Sequence, residues 1–169
     1  RSTLSPSSAA SDVYKRQDVD HAVICIPARF VPQVIDECGR KGVKALTIIS
    51  AGFSEIGNVE LEKKVVETAA KYGMRIIGPN GLGVFDNYSG VDTQFVPELK
   101  KYDEEMVLAT PRPKPGRILF ASQSGALGIA ILDALYGAGI GIAKFISYGN
   151  KVDVDETDIL PVSYTHLRA

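Results

Sequence analysis

Short apolar runs alternate with amphipathic segments in the first half of the chain. The run at residues 21–27 (HAVICIP) is rich in β-branched residues, which is typical of a strand buried on both faces of a parallel sheet. The next segment carries apolar residues at helical spacing, with Pro32 in its first turn and Gly42 as a left-handed cap. The pattern then repeats and predicts a strand, a helix and a third strand with its loop at residues 44–50, 59–73 and 74–85. Such tight alternation predicts a parallel α/β sheet with right-handed crossovers.

The pattern lapses at residues 97–116, where four prolines and clustered charges indicate a connection between two domains. A strand at residues 117–121 (RILFA) opens a second unit. The helix predicted after it, at residues 126–139, is apolar on nearly all its faces, so we expect it to be buried between other elements. We therefore predict one domain at residues 18–96 and the start of a second at residues 117–160.

Composition narrows the class of protein. The 169 residues are 45% hydrophobic and 23% charged, which suits globular domains with an apolar core. The net charge is −1 and no basic run interleaves with aromatic residues, which argues against nucleic acid or an anionic membrane as a partner. Cys25 and Cys38 are too few for a disulfide or metal framework, so we expect a reducing cytoplasm.

Both ends of the chain match translated sequencing-library adaptors. Residues 7–17 (SSAASDVYKRQ) reproduce the in-frame translation of a transposase-type adaptor at every position, and residues 162–169 (VSYTHLRA) reproduce that of the opposite adaptor. We interpret residues 1–17 and 161–169 as adaptor-derived tails and exclude them from fold reasoning. We expect the natural insert to begin and end within a fold. His166 falls in the second tail and is given no functional role.

The turn at residues 120–128 (FASQSGALG) has three possible roles. A serine-nucleophile elbow centred on Ser124 would need glycines at positions 122 and 126, and no histidine base stands nearby in the insert. The second role is a helix N-cap, which is the default for such a bend. The third is a phosphate cradle, because hydroxyls and a glycine cluster at a helix start without a nearby Lys or Arg. The expected burial of the helix behind them would also leave its dipole poorly screened. The residues alone leave the last two open.

Other loops carry weaker signals. The segments at residues 48–55 and 77–83 follow the carboxyl ends of adjacent predicted strands, where ligands bind in open α/β sheets. Neither carries a dinucleotide fingerprint or a P-loop, so nothing indicates direct NAD or ATP binding. The acidic segment at residues 153–158 is interpreted as a helix start, with Asp153 or Asp155 as the cap and Glu156 in the first turn, in preference to a metal site.

Four motifs, at residues 22–55, 74–84, 117–128 and 145–158, stand in order along the insert. Together they resemble the NDP-forming acyl-CoA synthetases, most closely the ADP-forming acetyl-CoA synthetase branch, which is related to the succinyl-CoA synthetase alpha subunit. The resemblance implies part of a Rossmann-like CoA-binding domain followed by the start of a flavodoxin-like ligase domain. It also implies conversion of acyl-CoA, NDP and phosphate into acid, CoA and NTP through acyl phosphate and a phosphohistidine.

The resemblance also assigns site residues. Coenzyme A is expected at two strand ends, and the phosphoryl group at the turn before the second domain's first helix. The CoA contacts are Cys25, Ile26, Pro27, Ile49, Ser50 and Ala51, and the phosphate contacts are Ser122, Gln123, Ser124 and Gly125. Ala51 stands where the succinate enzymes have a glutamate, which favours a small or varied acyl acid. Gly81 departs from the family's usual cysteine and weakens any role for Asn80.

Two parts of such an enzyme are not found in the insert: the Gly-rich first βα unit and the phosphohistidine. The resemblance therefore implies an inactive fragment. ATP or ADP with Mg²⁺ would bind a nucleotide-grasping domain in a beta subunit or a fusion. Two other interpretations stay open: the CoA-binding regulatory part of a protein lysine acetyltransferase, and a non-catalytic CoA- or nucleotide-binding module.

Overall fold

A computed structural model describes residues 18–166, with side chains described for residues 18–162. The predicted tail at residues 1–17, the last three residues and the side chain of His166 lie outside this description. The elements in chain order are β1 (His21–Ile24), α1 (Val31–Arg40), β2 (Ala45–Ile48), α2 (Val59–Ala70), β3 (Arg75–Ile77), β4 (Gly83–Asp86), β5 (Val91–Asp92), β6 (Leu99–Tyr102), β7 (Glu105–Leu108), β8 (Pro115–Ser122), α3 (Gly125–Gly137), β9 (Ile142–Ser147) and α4 (Glu156–His166). Helix α4 thus runs on through residues 161–166, which the sequence analysis assigns to a tail.

The first sheet is parallel, as predicted, with the order β1-β2-β3. Alternate strand residues such as Leu46 pack with Ile35 of α1 and Val65 of α2 in one core, so both helices cover the same face. Pro32 lies in the first turn of α1, and Gly42 has the positive φ of a left-handed cap, both as predicted. The prediction that the first strand is buried on both faces is wrong. Val23 is 44% exposed because the described helices cover only one side of this sheet.

The second sheet is mixed and has the order β5-β4-β9-β8. Strands β8 and β9 are parallel, whereas β4 is antiparallel to both β9 and β5. Strand β4 lies in the stretch predicted to continue the first domain, yet it hydrogen-bonds to the second sheet. The chain leaves the first sheet after Ile77 and turns through Gly78 and Asn80, both at positive φ. The division between the two sheets therefore falls earlier than the predicted domain boundary at residue 96.

The predicted connection at residues 97–116 is not wholly irregular. It contains a hairpin in which β6 pairs with β7 in antiparallel register. Its apolar side chains lie largely in solvent, with Leu99, Tyr102 and Met106 each more than half exposed. The Ala109 amide closes the base of the hairpin by donating to the Glu98 carbonyl at 2.8 Å.

The prediction that the helix of the second unit is buried between other elements is also wrong. In α3 only Gly128 and Leu132 are buried, whereas Leu127 and Tyr136 are about half exposed. The reason is that α3 packs on β8 and β9 with one side, and no element among residues 18–166 covers the rest. No helix in this described part of the chain is long and apolar enough to cross a membrane.

Candidate functional site

A cleft of about 500 Å³ lies at the carboxyl ends of strands from both sheets. It brings together residues that the sequence analysis placed in two different sites. Ile49 and Ala51 come from the predicted CoA contacts, and Gln123, Ser124 and Gly125 come from the predicted phosphate turn. The lining is completed by Asn80, Gly81, Leu82, Phe95, Ala126 and Ile129. None of these eleven lining residues is charged.

The two predicted CoA-contacting strand ends are joined directly. The Ile49 amide donates to the Ile24 carbonyl at 2.9 Å, and the Ile26 amide donates to the Ser50 hydroxyl at 3.0 Å. The buried Ser50 side chain therefore ties the two loops together and does not line the cleft. Three more of the predicted CoA contacts do not line the cleft either. They form the loop that follows β1, next to Ser50: Cys25, Ile26 and Pro27.

Cys25 was expected to lie in a buried strand, but it stands just beyond the end of β1 and is exposed. Partial burial of its sulfur still raises the pKa of the thiol. A thiol with a raised pKa is a poor nucleophile at neutral pH. Cys25 is therefore not a candidate nucleophile for the cleft.

The turn before α3 is built on its two serines. Ser124 is the N-cap, and its hydroxyl accepts the Leu127 amide at 3.2 Å, as the N-cap interpretation predicts. The Ser122 hydroxyl accepts the Ser124 amide at 3.1 Å, which holds Ser122 nine-tenths buried below the cleft. The amides of Gly125 and Ala126, in the first turn, have no hydrogen-bond partner among the described residues. Free amides at the positive end of a helix dipole favour an anion.

The opposite wall of the cleft is fixed by contact between two loops, residues 78–81 and 147–150. The Asn150 amide donates to the Pro79 carbonyl at 2.9 Å, and the Leu82 amide donates to the Ser147 hydroxyl at 3.0 Å. A Cβ atom at position 81 would lie 2.6 Å from the Ser147 carbonyl oxygen. Gly81 therefore allows these two loops to approach more closely than a cysteine at this position would allow. Cysteine is the residue expected here from the resemblance.

Asn150 connects the second unit to the first. Its side-chain nitrogen lies 2.7 Å from a carboxylate oxygen of Glu55 and 2.7 Å from one of Glu62. Its side-chain oxygen accepts from the Asn80 side chain at 3.3 Å. Burial raises the pKa of Glu55, but the Asn150 amide and backbone amides lower it more, so this pKa stays below its ordinary value. Sequence reasoning missed this cluster, because its members lie about ninety positions apart and no local pattern joins them.

The acidic segment behaves as a helix start. Asp155 accepts the Thr157 amide at 2.8 Å and caps α4, as predicted. Asp153 instead receives the Arg75 guanidinium at 3.0 Å and the Ile76 amide at 2.7 Å, and so attaches this loop to β3. Within residues 18–162, no group of three or more His, Cys, Asp or Glu side chains is placed to hold a metal ion.

His21, the histidine whose side chain is described, is remote from the cleft. It stands at the opposite end of β1, where its ring nitrogen lies 2.9 Å from the Thr47 hydroxyl. Burial lowers the pKa of His21, which favours the neutral ring. This side chain is used in packing the sheet and cannot reach a ligand at Ser124.

Each of the two units matches a known protein family of its own. A CoA binding domain family matches residues 4–86, and a succinyl-CoA ligase like flavodoxin domain family matches residues 115–166. Both ranges extend into the predicted tails, whose foreign origin stays a prediction. The alpha subunit of acetate–CoA ligase [ADP-forming] I from Pyrococcus furiosus is 46% identical over 145 residues. The acetate–CoA ligase [ADP-forming] of Methanocaldococcus jannaschii is 45% identical over 143 residues.

A solved structure gives the same relationship. The apo form of the dinucleotide forming acetyl-coenzyme A synthetase 1 from Candidatus Korarchaeum cryptofilum superposes with a TM-score of 0.75 at 39% identity, over 88% of this chain and 30% of that one. Each of the two sequence relatives is matched over 85% of this chain, which spans 29% of the Pyrococcus subunit and 18% of the Methanocaldococcus protein. This chain therefore corresponds to less than a third of the length of each of these three proteins.

Proposed function

We propose, on the premise that this chain belongs to the family joining a CoA-binding domain to a succinyl-CoA ligase-like flavodoxin domain, that it is the central portion of the alpha part of an NDP-forming acyl-CoA synthetase. The parent enzyme converts acyl-CoA, NDP and phosphate into acid, CoA and NTP. The observation that carries this proposal is the shared cleft, in which the end of a strand from the CoA-binding unit faces the N-terminus of α3.

The chemistry assigns separate tasks to the two sides of the cleft. A phosphate oxygen attacks the thioester carbonyl, the carbon–sulfur bond breaks, and the departing CoA thiolate takes up a proton. The resulting acyl phosphate gives its phosphoryl group to a histidine and releases the acid, and the phosphohistidine then phosphorylates NDP. In this chain the loops at residues 25–27 and 49–51 hold CoA. The Ser124 hydroxyl and the free amides of α3 hold the phosphoryl group without charged side chains.

The remaining parts lie on segments of the parent outside this chain. The phosphohistidine is one of them, since His21 is engaged with Thr47 away from the cleft and His166 falls in the predicted adaptor tail. The nucleotide and its Mg²⁺ bind a nucleotide-grasping domain, either a beta subunit or a fusion, and the enzyme works in the reducing cytoplasm. For the 169-residue chain alone we expect no turnover and weak CoA binding. A tight calorimetric titration with CoA would contradict that expectation.

The phosphate cradle is tested in the full-length parent enzyme by measuring phosphohistidine formation from labelled ATP. Ser124→Ala removes the capping hydroxyl, and Gly125→Val places a branched side chain over the free amides. Gly125 has room for a side chain, because an added Cβ would lie 3.5 Å from Leu82. Both variants should reduce phosphorylation at least tenfold while the dissociation constant for CoA changes less than threefold.

Thr68→Ala is the matched control, because its hydroxyl donates to the Lys64 carbonyl on the exposed face of α2 and Thr68 does not line the cleft. It should phosphorylate like the unaltered enzyme. Normal phosphorylation in both cleft variants would refute the cradle. Absence of phosphohistidine and of acyl-CoA-dependent ATP formation in the unaltered parent would refute the proposed function itself.

A further inference from the structure

We infer that Asn150 is a positioning residue: its side-chain amide joins the loop that follows β2 to the loop at residues 147–150, and so fixes the distance between the two sides of the cleft. This inference rests on the proposed function. It goes beyond it by naming a residue that acts through others, since Asn150 does not line the cleft and belongs to neither set of predicted contacts. The sequence placed Asn150 within the fourth motif but assigned it no role.

On the CoA side, Asn150 holds the loop that follows β2. Its side-chain nitrogen lies 2.7 Å from one carboxylate oxygen of Glu55, and the other oxygen of that carboxylate accepts the amides of Gly52 and Phe53. These two residues come directly after Ala51, which lines the cleft. Phe53 is fully buried and anchors the loop in the core of the first unit. The position of Ala51 is therefore linked to that of Asn150 through a single carboxylate.

The partners of Asn150 require an amide at this position. Its nitrogen also lies 2.7 Å from a carboxylate oxygen of Glu62, and that same oxygen accepts the Ser54 hydroxyl at 2.7 Å. Its oxygen accepts from the Asn80 side chain at 3.3 Å. An amide donates and accepts at once, whereas lysine and arginine only donate and a carboxylate only accepts. An asparagine therefore satisfies two carboxylates of the first unit and a second amide together.

On the phosphate side, the loop at residues 147–150 is fixed to the turn before α3. The Tyr148 amide donates to the Ser122 carbonyl at 3.1 Å. The Ser122 hydroxyl in turn accepts the Ser124 amide at 3.1 Å. A continuous path of hydrogen bonds and backbone thus runs behind the cleft from Ala51 through Asn150 to Ser124.

This path matters for one step of the proposed reaction and not for another. Attack of phosphate on the thioester needs CoA on the first unit and phosphate on the second in a defined relation, and a misplacement of about 1 Å can cost about 100-fold in rate. Phosphorylation of the histidine by ATP uses the phosphate turn but no ligand on the CoA-binding loops. Loss of the Asn150 amide should therefore slow the route from acyl-CoA and spare the route from ATP.

The test measures phosphohistidine formation in the full-length parent enzyme by two routes, from acetyl-CoA with labelled inorganic phosphate and from ATP labelled in its γ-phosphate. Asn150→Ala should lower the ratio of the first rate to the second at least tenfold, while the ATP route and the dissociation constant for CoA change less than threefold. Glu55→Ala cuts the same connection from its other end and should lower the ratio similarly. The double variant should lie within about twofold of the lower single variant, because both substitutions break one connection.

Asn87→Ala is the matched control. It also removes two hydrogen bonds of a side-chain nitrogen, to the Pro113 and Ile142 carbonyls at 2.9 and 2.8 Å, but away from the contact between the two units. It should leave the ratio unchanged. Circular dichroism melting curves establish that each variant is folded, and Glu55→Ala decides the matter if Asn150→Ala is not. A ratio within twofold of the unaltered one in both variants, or an equal fall in both routes, overturns this inference alone. An unaltered enzyme that forms phosphohistidine by neither route overturns the proposed function.

Discussion

Gly128 of α3 lies directly against the ring of Phe145 on β9. A Cβ atom on residue 128 would be 2.6 Å from the Cζ atom of Phe145, closer than real atoms approach. Phe145 is fully buried and stacks on Phe120 with ring centroids 5.9 Å apart, so it has little freedom to withdraw. The missing side chain at position 128 therefore determines how closely α3 approaches the sheet, and with it where Ser124 and the free amides point.

Gly128→Ala is expected to lower the free energy of unfolding by about 1–3 kcal/mol, because overpacking must displace either α3 or the Phe145 ring. Urea titration followed by circular dichroism measures this change. Gly137→Ala is the control within the same helix, since an added Cβ there meets nothing within 4 Å. It should be neutral or stabilising by up to about 1 kcal/mol. Equal stability of the two variants would contradict the packing argument.

Asn150→Asp is expected to destabilise the contact between the two units. The Asn150 side-chain nitrogen lies 2.7 Å from a carboxylate oxygen of Glu55 and 2.7 Å from one of Glu62. The substitution replaces this N–H donor with a third carboxylate. We expect a loss of about 2 kcal/mol at pH 7 relative to Asn150→Ala, which removes the same hydrogen bonds without adding charge.

The pH dependence separates repulsion from lost hydrogen bonding. Like-charge repulsion in Asn150→Asp should raise the folded-state pKa values of the clustered carboxylates above their ordinary values near 4. The difference between Asn150→Asp and Asn150→Ala should therefore be full at pH 7 and should shrink as the pH falls towards 4, where protonation has relieved the repulsion. Free energies of unfolding at pH 7 and pH 3.5 measure it. A difference of the same size at both pH values would show that repulsion is not its cause.

Asp86 and Lys144 form a cross-strand ion pair between β4 and β9. Burial raises the pKa of Asp86, but Lys144 and the Tyr88 amide lower it more, to about 2. Because this folded-state pKa lies below the ordinary value of 3.8, the carboxylate stabilises the fold above pH 4 and loses this effect as the pH falls from 4 to 2. Asp86→Asn should therefore cost about 2 kcal/mol at pH 7 and little at pH 2.

Unfolding free energies of Asp86→Asn and the unaltered chain across pH 2 to 7 test this prediction. Glu104→Gln is the control, because its side chain is 95% exposed in its ion pair with Lys101. Exposed pairs of this kind contribute little, so its curve should follow that of the unaltered chain. If the Asp86→Asn curve ran parallel to the unaltered one down to pH 2, the ion pair would not be the source of acid sensitivity.

The sequence by itself determined the features that depend on near neighbours. Pro32 and Gly42 marked the limits of α1, and the serine at position 124 marked the start of α3, because caps and turns are decided by residues within a few positions. The resemblance carried by four motifs predicted two sets of contact residues, and one member of each set, Ala51 and Ser124, lines the same cleft.

Only the tertiary structure decided which distant segments meet. The pattern of apolar residues predicts a strand at β4 but does not indicate which sheet the strand joins. Its antiparallel partner, β9, lies about sixty positions away in the sequence. The same limit hid the contact of Asn150 with Glu62 and the place of Phe95 in the cleft. The burial predicted for α3 was wrong for the same reason. An apolar composition shows that a helix could be buried, but it does not show whether another element packs against it.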